Sequence, residues 1–196
     1  MLTPESEATA RVLYDEPLGF DPKVHTPPFL RQAFLKVKTA ATVSLLSSEN
    51  MLAGVVAFLR SLALTYQTVH WQAPLYSDHL LFERLYYSTF EEVDGVGERV
   101  VGLAGETHVD LGPQTNLIAT VTLFVDELLK QGVNPASVCL TLERYLLNLV
   151  SQVLASKPDP GTSNLLEGIA DNHMKHVYLL QQRCKPVLVS KTPRWR

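Results

Sequence analysis

Apolar residues recur at helical spacing along most of the chain beyond residue 28. Between Lys38 and Trp71 they stand mostly three, four or seven positions apart, which places them on one face of a long α-helix. Similar patterns predict further helices over residues 77–105, 114–130, 135–156 and 162–184. No stretch alternates apolar and polar residues for long enough to form a sheet. The pattern therefore predicts an all-α protein, a four-helix bundle with a short extra helix between the second and third long helices.

Turn and cap residues mark the ends of these helices. Ala73-Pro74 ends the first helix, because proline does not continue a helix, and Ser77 is a suitable N-cap for the second. Asn134-Pro135 is a typical helix start, an N-cap followed by proline at the first helical position. Residues 157–161 predict a turn, after which Thr162 or Ser163 caps the last helix.

The two ends of the chain lack the helical pattern. Residues 1–28 contain five prolines and no sustained period, so we expect an extended N-terminal tail there. Residues 29–184 form the expected bundle domain, and residues 185–196 form a short basic C-terminal tail.

Composition places the chain among globular proteins. Hydrophobic residues make up 46% and charged residues 19% of 196 residues, which suffices for a core without disulfides. The longest apolar stretch, Met51–Leu59, is about half as long as a membrane-spanning helix, so we expect no such helix. Without a signal peptide pattern, and with Cys139 and Cys184 far apart, we expect a cytoplasmic protein. The net charge of −3 restricts any nucleic-acid binding to a local patch.

Candidate metal ligands lie on the second helix. With His79 at zero, Glu83 falls near about 40°, Asp94 near about 60° and Glu98 near about 100° around the helix axis. His70 lies at the end of the preceding helix. Imidazole and carboxylate ligands together suit iron, manganese or zinc, and a carboxylate-rich site favours a harder ion.

The alternative interpretation of these residues is a solvated polar face. It fits poorly, because apolar side chains that we expect to be buried or half-buried separate the carboxylates, and a buried carboxylate needs a partner, a proton or a metal. These side chains are Phe82, Tyr86, Tyr87, Phe90 and Val93.

The spacing along the second helix predicts a dimer. Glu83 and Asp94 are eleven residues apart, which is about 16 Å along the helix axis, so one metal ion cannot contact both. An antiparallel second copy across a two-fold axis solves this, because it brings Asp94 and Glu98 of one chain beside the other chain's His79. We therefore expect two equivalent shared sites, with the helices crossing near Tyr87–Thr89.

The pattern resembles the ferroxidase signature of Dps proteins, also known as mini-ferritins. The resemblance rests on His70-Trp71, His79-x-x-Phe82-Glu83 and Asp94-x-x-x-Glu98-Arg99, and on Asn172-His173-x-Lys175-His176 in the last helix. It covers residues 45–183. The connection between His70 and His79 departs from the family, since it is about three residues shorter and lacks the usual glycine.

The resemblance implies a ferritin-like bundle that assembles into a hollow dodecamer. His70, His79 and Glu83 would then bind iron together with Asp94 and Glu98 of the two-fold partner, beside the redox-active Trp71. Such a protein oxidises Fe²⁺, typically with hydrogen peroxide, stores ferric iron, and protects DNA. The alternative is a non-enzymatic DNA-binding or structural shell protein on the same fold; a subunit of another large assembly is a third possibility.

The last helix, Cys139 and the basic C-terminal end contain the remaining candidate residues. The chain contains no Glu-x-x-His, which disfavours a ferritin-type di-iron site within one bundle, and we interpret His173 and His176 as structural. Cys139 is expected on the buried face of the third long helix. The basic C-terminal end could contact DNA phosphates, and thereby the nucleoid, or could be an ordinary solubilising tail. Its basic residues are Arg183, Lys185, Lys191, Arg194 and Arg196.

Overall fold

The computed structural model describes residues 48–185, and within that range the chain forms five α-helices and no strand. The helices are α1 (Ser48–Gln72), α2 (Tyr76–Ala104), α3 (Leu111–Lys130), α4 (Pro135–Ala155) and α5 (Pro160–Cys184). A 3₁₀ turn, Glu106–Val109, lies between α2 and α3. The predicted all-α bundle is confirmed for this part of the chain. The N-terminal tail, His25 and residues 29–47 lie outside the described residues.

A single apolar core joins the long helices. Helix α1 packs against α2, α3 and α4, and α4 packs against α5. Fully buried side chains include Phe58, Leu62, Leu85, Leu146 and Leu180. Because α1 contributes an apolar face over almost its whole length, it is the central helix of the core.

Cap residues explain where α4 and α5 begin. Asn134 accepts a hydrogen bond from the backbone N–H of Ala136 at 2.8 Å, as its position before Pro135 predicts. Helix α5 begins earlier than expected, at Pro160, because the Asp159 carboxylate accepts from the backbone of Gly161 and Thr162. Thr162 therefore lies inside the first turn rather than at the cap.

The beginning of α2 also differs from the prediction. Helix α1 ends at Gln72, as Pro74 indicates, but α2 starts at Tyr76 with Leu75 at the N-cap, so Ser77 is already helical. Only residues 73–75 separate the two helices. The connecting helix α3 is longer than expected, at 20 residues, and His108 lies in the 3₁₀ turn that precedes it.

A bidentate ion pair between Arg183 and Asp78 holds the start of α2 against the end of α5. The Arg183 guanidinium donates from Nε to Asp78 Oδ1 and from Nη2 to Asp78 Oδ2, the second at 2.7 Å. Asp78 is almost fully buried, so its carboxylate depends on this partner. Because Asp78 directly precedes His79, the ion pair also fixes the position of that histidine.

Two helices, Met51–Gln72 and Pro135–Ala155, are long and apolar enough to cross a membrane by length and composition alone. In the structure most of the first and half of the second is buried inside the bundle, as in core helices generally.

Removing the Arg183 side chain tests the importance of the Asp78 ion pair. We expect Arg183→Ala to lower the free energy of unfolding by about 1–2 kcal/mol, because it leaves a carboxylate buried without its partner. Urea denaturation measures this change. Asp78→Asn combined with Arg183→Ala is the control: the double variant should be less destabilised than the sum of the two single variants, and strict additivity would contradict the proposed coupling.

Candidate metal centre

His70, His79 and Glu83 come together at the junction of α1 and α2. His70 lies in the last turn of α1, His79 in the first turn of α2, and Glu83 one turn further along α2. One ligand atom from each side chain lies within 4.8 Å of the other two. All three side chains are half-buried. We refer to these three residues as the surface cluster.

The two histidines of the surface cluster hold each other in place. His70 Nδ1 bonds to the backbone carbonyl of His79 at 3.0 Å, and His79 Nδ1 bonds to that of His70 at 3.1 Å. A carbonyl oxygen only accepts, so each ring carries its proton on Nδ1. In a neutral ring with its proton on Nδ1, the lone pair lies on Nε2, which is the atom that such a histidine offers to a metal.

This reciprocal bonding depends on the short connection between the helices. With only residues 73–75 outside the helices, the last turn of α1 lies directly beside the first turn of α2. The two imidazole rings lie 3.9 Å apart between centroids. The shortened connection thus brings the two histidines together.

Asp94 and Glu98 do not reach the surface cluster within one chain. Both are exposed, and they lie eleven or more residues beyond Glu83 on the continuous helix α2. At about 1.5 Å per residue the separation is about 16 Å or more. Trp71, beside His70 in sequence, is exposed as well.

Two aromatic residues on α2 are more exposed than we expected. Phe82 and Val93 are buried and Tyr86 is half-buried, but Tyr87 and Phe90 are 60% and 58% exposed. The expectation of burial was wrong for these two within a single chain. Their rings pack on Tyr86, and at about 80° and 20° they lie on the same arc of α2 as His79, Glu83, Asp94 and Glu98.

A second polar cluster lies inside the bundle, and we refer to it as the buried cluster. Its centre is the Glu143 carboxylate of α4, which is fully buried. His173 Nδ1 donates to Glu143 Oε2 at 2.6 Å, and His176 Nδ1 donates to Glu143 Oε1 at 3.0 Å. The Tyr66 hydroxyl of α1 donates to the same carboxylate.

Glu92 of α2 completes the buried cluster. His173 Nε2 donates to Glu92 Oε2 at 2.6 Å, and Asn172 Nδ2 donates to Glu92 Oε1 at 2.7 Å. His173 therefore contacts a carboxylate through each ring nitrogen and must carry a proton on both. Together, four helices contribute side chains to this cluster.

Electrostatics maintain these protonation states. Burial lowers the pKa of His173, but hydrogen bonds and charge from Glu143 and Glu92 outweigh it and raise that pKa to about 9. Burial opposes the charge on Glu143, yet His173 and His176 keep its pKa below the usual value. Burial first, and Glu143 second, raise the pKa of Tyr66 well above its ordinary value, so its hydroxyl stays protonated.

Sequence reasoning missed Glu143 and Glu92. We interpreted His173 and His176 as structural because no third ligand lies near them in sequence, whereas Glu143 is 30 residues upstream. Glu143 is detectable in the apolar stripe of α4, where it stands between the buried Cys139 and Leu146. A charged residue inside such a stripe needs a buried partner. The expected burial of Cys139 is confirmed.

Two of the five candidate DNA-binding residues, Arg183 and Lys185, lie within the described part of the chain. The Arg183 guanidinium is engaged with Asp78, and Lys185 Nζ donates to Gln182 Oε1 at 2.9 Å. Lys191, Arg194 and Arg196 lie outside the described residues. DNA binding by this end of the chain stays a prediction.

The pH dependence of stability tests the charge on His173. Its pKa is about 9 in the folded protein and about 6.5 in an unfolded chain. The stabilisation is therefore fully present below pH about 6.5 and is lost as the pH rises through about 9. We expect the chelator-treated protein to lose on the order of 3 kcal/mol over that range, measured by urea denaturation.

The control for this pH dependence is His108→Ala, which should leave the slope unchanged because His108 lies outside the buried cluster. A stability that is constant or that rises between pH 6.5 and 9 would contradict the charged state of His173.

Comparison with known proteins supports the fold. No protein-family model matches the chain, and no curated protein matches it. The X-ray structure of Dps from Thermosynechococcus elongatus matches with a TM-score of 0.50 and 22% identity, over 77% of this chain and 99% of that chain. Dps from Vibrio cholerae O1, described as a member of a broad superfamily of ferritin-like diiron-carboxylate proteins, matches with a TM-score of 0.46 and 18% identity. That match covers 75% of this chain and 92% of that chain. The chain thus has the ferritin-like four-helix bundle fold of the T. elongatus Dps structure.

Proposed function

We propose that this protein is a Dps-like mini-ferritin, a ferroxidase whose iron sites are shared between two-fold related subunits. The observation that supports this most directly is the reciprocal hydrogen bonding of His70 and His79 through Nδ1, in a cluster with Glu83 whose ligand atoms lie within 4.8 Å of one another. Two imidazoles and a carboxylate are a ligand set that suits iron(II).

The surface cluster by itself is half of such a site. It supplies three ligands at a half-buried position. Asp94 and Glu98 lie on the same face of α2 but are too distant to reach it in one chain. In an antiparallel pair of α2 helices, Asp94 and Glu98 of each chain lie beside the surface cluster of the other.

The exposed aromatic residues support this pairing. Tyr87 and Phe90 lie midway between the surface cluster and Glu98, at the point where two antiparallel α2 helices would cross. Large exposed apolar side chains on one face are typical of an interaction surface. A two-fold contact there buries both aromatics and creates two equivalent metal sites at once.

Iron is the substrate of the proposed reaction. Two Fe²⁺ ions each give one electron to hydrogen peroxide, which takes up two protons and yields two water molecules and two Fe³⁺ ions. The carboxylates of Glu83 and of the partner stabilise the additional positive charge on the oxidised ions. Trp71, which follows His70 in sequence, gives up the second electron in this proposal if only one Fe²⁺ is bound.

The storage role follows from assembly. We propose that the dimers build a hollow dodecamer in the cytoplasm that retains ferric iron. Consumption of peroxide together with Fe²⁺ prevents hydroxyl-radical formation, which protects DNA whether or not the C-terminal end binds it.

Loss of a partner carboxylate tests the shared site. We expect Glu98→Ala to reduce the initial rate of peroxide-dependent Fe²⁺ oxidation at least about tenfold, because it removes an anionic ligand from the shared iron site. Stopped-flow absorbance of the ferric product measures this rate.

The matched control is Glu106→Ala, which removes a carboxylate from the 3₁₀ turn and should leave the rate unchanged. Mixing Glu98→Ala chains with His79→Ala chains should restore part of the activity. In a dimer that contains one chain of each variant, one of the two shared sites keeps both its histidine and its partner carboxylate. Equal rates for Glu98→Ala and the original protein would instead favour the non-enzymatic shell protein.

Disruption of the aromatic face tests the pairing separately from the ligands. We expect Tyr87→Asp with Phe90→Asp to abolish two-fold dimers and, with them, Fe²⁺ oxidation, although every ligand is retained. Analytical ultracentrifugation and the oxidation assay measure the two effects. Leu123→Asp, a similar change on α3, should affect neither. Full oxidation by a monomeric double variant would show that one chain forms the whole site.

A further inference from the structure

The buried cluster is not used by the proposed function, yet it has the form of a metal site. Two imidazole nitrogens and one carboxylate oxygen, from Glu143, His173 and His176, lie within 4.8 Å of one another. All three residues are buried. Two carboxylates and two histidines in the interior of the bundle need partners for their charge and polar atoms, and a cation is one such partner.

We propose that Glu143, His173 and His176 form a second metal site, which binds one divalent first-row transition cation inside each subunit, with Glu92 as a positioning residue. This proposal goes beyond the ferroxidase function and does not depend on it. The buried cluster lies nine residues further along α2 than Glu83, or about 13 Å, and it needs no residue from a partner.

The donor set and its spacing fit a single small cation. Two histidines and one carboxylate are ligands found at zinc sites and at mononuclear iron(II) sites. Ligand atoms on one tetrahedral ion lie about 3.3 Å apart, since each bond is about 2 Å long. The contacts from His173 and His176 to Glu143 are 2.6 Å and 3.0 Å, so small side-chain movements make room for the ion.

The surrounding residues orient these ligands. Glu92 accepts from His173 Nε2 at 2.6 Å, which leaves Nδ1 pointing at Glu143. A carboxylate on the outer nitrogen of a metal-binding histidine is a recurrent arrangement, because it fixes the tautomer and makes the ring a better ligand. Asn172 holds the other oxygen of Glu92 in turn. The Tyr66 hydroxyl offers a further oxygen beside Glu143.

A divalent cation would balance the charges of the buried cluster. Glu143 and Glu92 contribute two negative charges, and the doubly protonated His173 contributes one positive charge. When a divalent cation binds, the Nδ1 proton of His173 leaves for solvent and the proton of His176 moves to Nε2. The ion and the two carboxylates then sum to zero, which lowers the cost of burying them.

Cobalt(II) is a suitable probe, because its visible absorption reports the number and type of its ligands. The test uses a background variant, His79→Ala with Glu83→Gln, in which the surface cluster is lost. We expect this variant, loaded with Co²⁺ and freed of excess metal, to retain one ion per chain with two nitrogen ligands by X-ray absorption. No retained ion, or an ion with oxygen ligands alone, would overturn the proposal.

Variants of the buried cluster identify its residues. Added to the background, His176→Leu should weaken Co²⁺ binding about 100-fold or more, and Glu92→Gln should weaken it about 10- to 100-fold. His108→Leu is the matched control and should leave binding unchanged. Unweakened binding in a folded His176→Leu protein refutes the site. If His176→Leu does not fold, Glu92→Gln decides, because its binding must still weaken.

Discussion

The hydrogen bonds to the buried Glu143 carboxylate are the interaction on which the arrangement of the helices depends. A charged group with no exposure is costly unless it is paired and fully hydrogen-bonded, and Glu143 has Tyr66, His173 and His176 as donors. These partners come from α1 and α5, and His173 extends the network to Glu92 of α2. An apolar core tolerates small shifts between helices, whereas this network fixes their positions, because each displaced donor would leave a buried charge unsatisfied.

A second interaction fixes the position of helix α2 close to the surface cluster. Arg183 near the end of α5 binds Asp78 at the start of α2, next to His79. The start of α2 is therefore held by the end of α5 and by the histidine carbonyls, while its middle is held through Glu92. Helix α2 carries every candidate ligand of the proposed shared site except His70, so its rigidity would set the spacing between the two halves of that site.

The sequence predicted the helices well where the physical signal is local. Pro74 and Asn134-Pro135 mark helix ends through their own backbone chemistry, and the apolar spacing marks the buried faces. The grouping of His79 and Glu83 was also predictable, since residues four apart on one helix lie on one face. The start of α2 was not predictable, because Leu75 at its N-cap makes no side-chain hydrogen bond that would mark the boundary in the sequence.

The buried cluster could not be predicted because its members are distant in the chain. Glu143 and His173 meet only after α4 and α5 pack, and nothing near His173 in sequence specifies that contact. The exposure of Tyr87 and Phe90 has a related cause. A single-chain pattern marks apolar residues as buried, whether they face the core of their own chain or another molecule.

The histidine pair at the junction of α1 and α2 has a thermodynamic consequence. Because main-chain carbonyls orient both rings, the folded monomer already presents this half of the site in order, and little conformational entropy remains to be lost when a metal arrives. A cation held between two chains must then strengthen their association by the same factor by which association strengthens cation binding. In the proposed shell, the supply of iron and the extent of assembly would then be linked equilibria, and scarcity of the metal would favour the dissociated subunits.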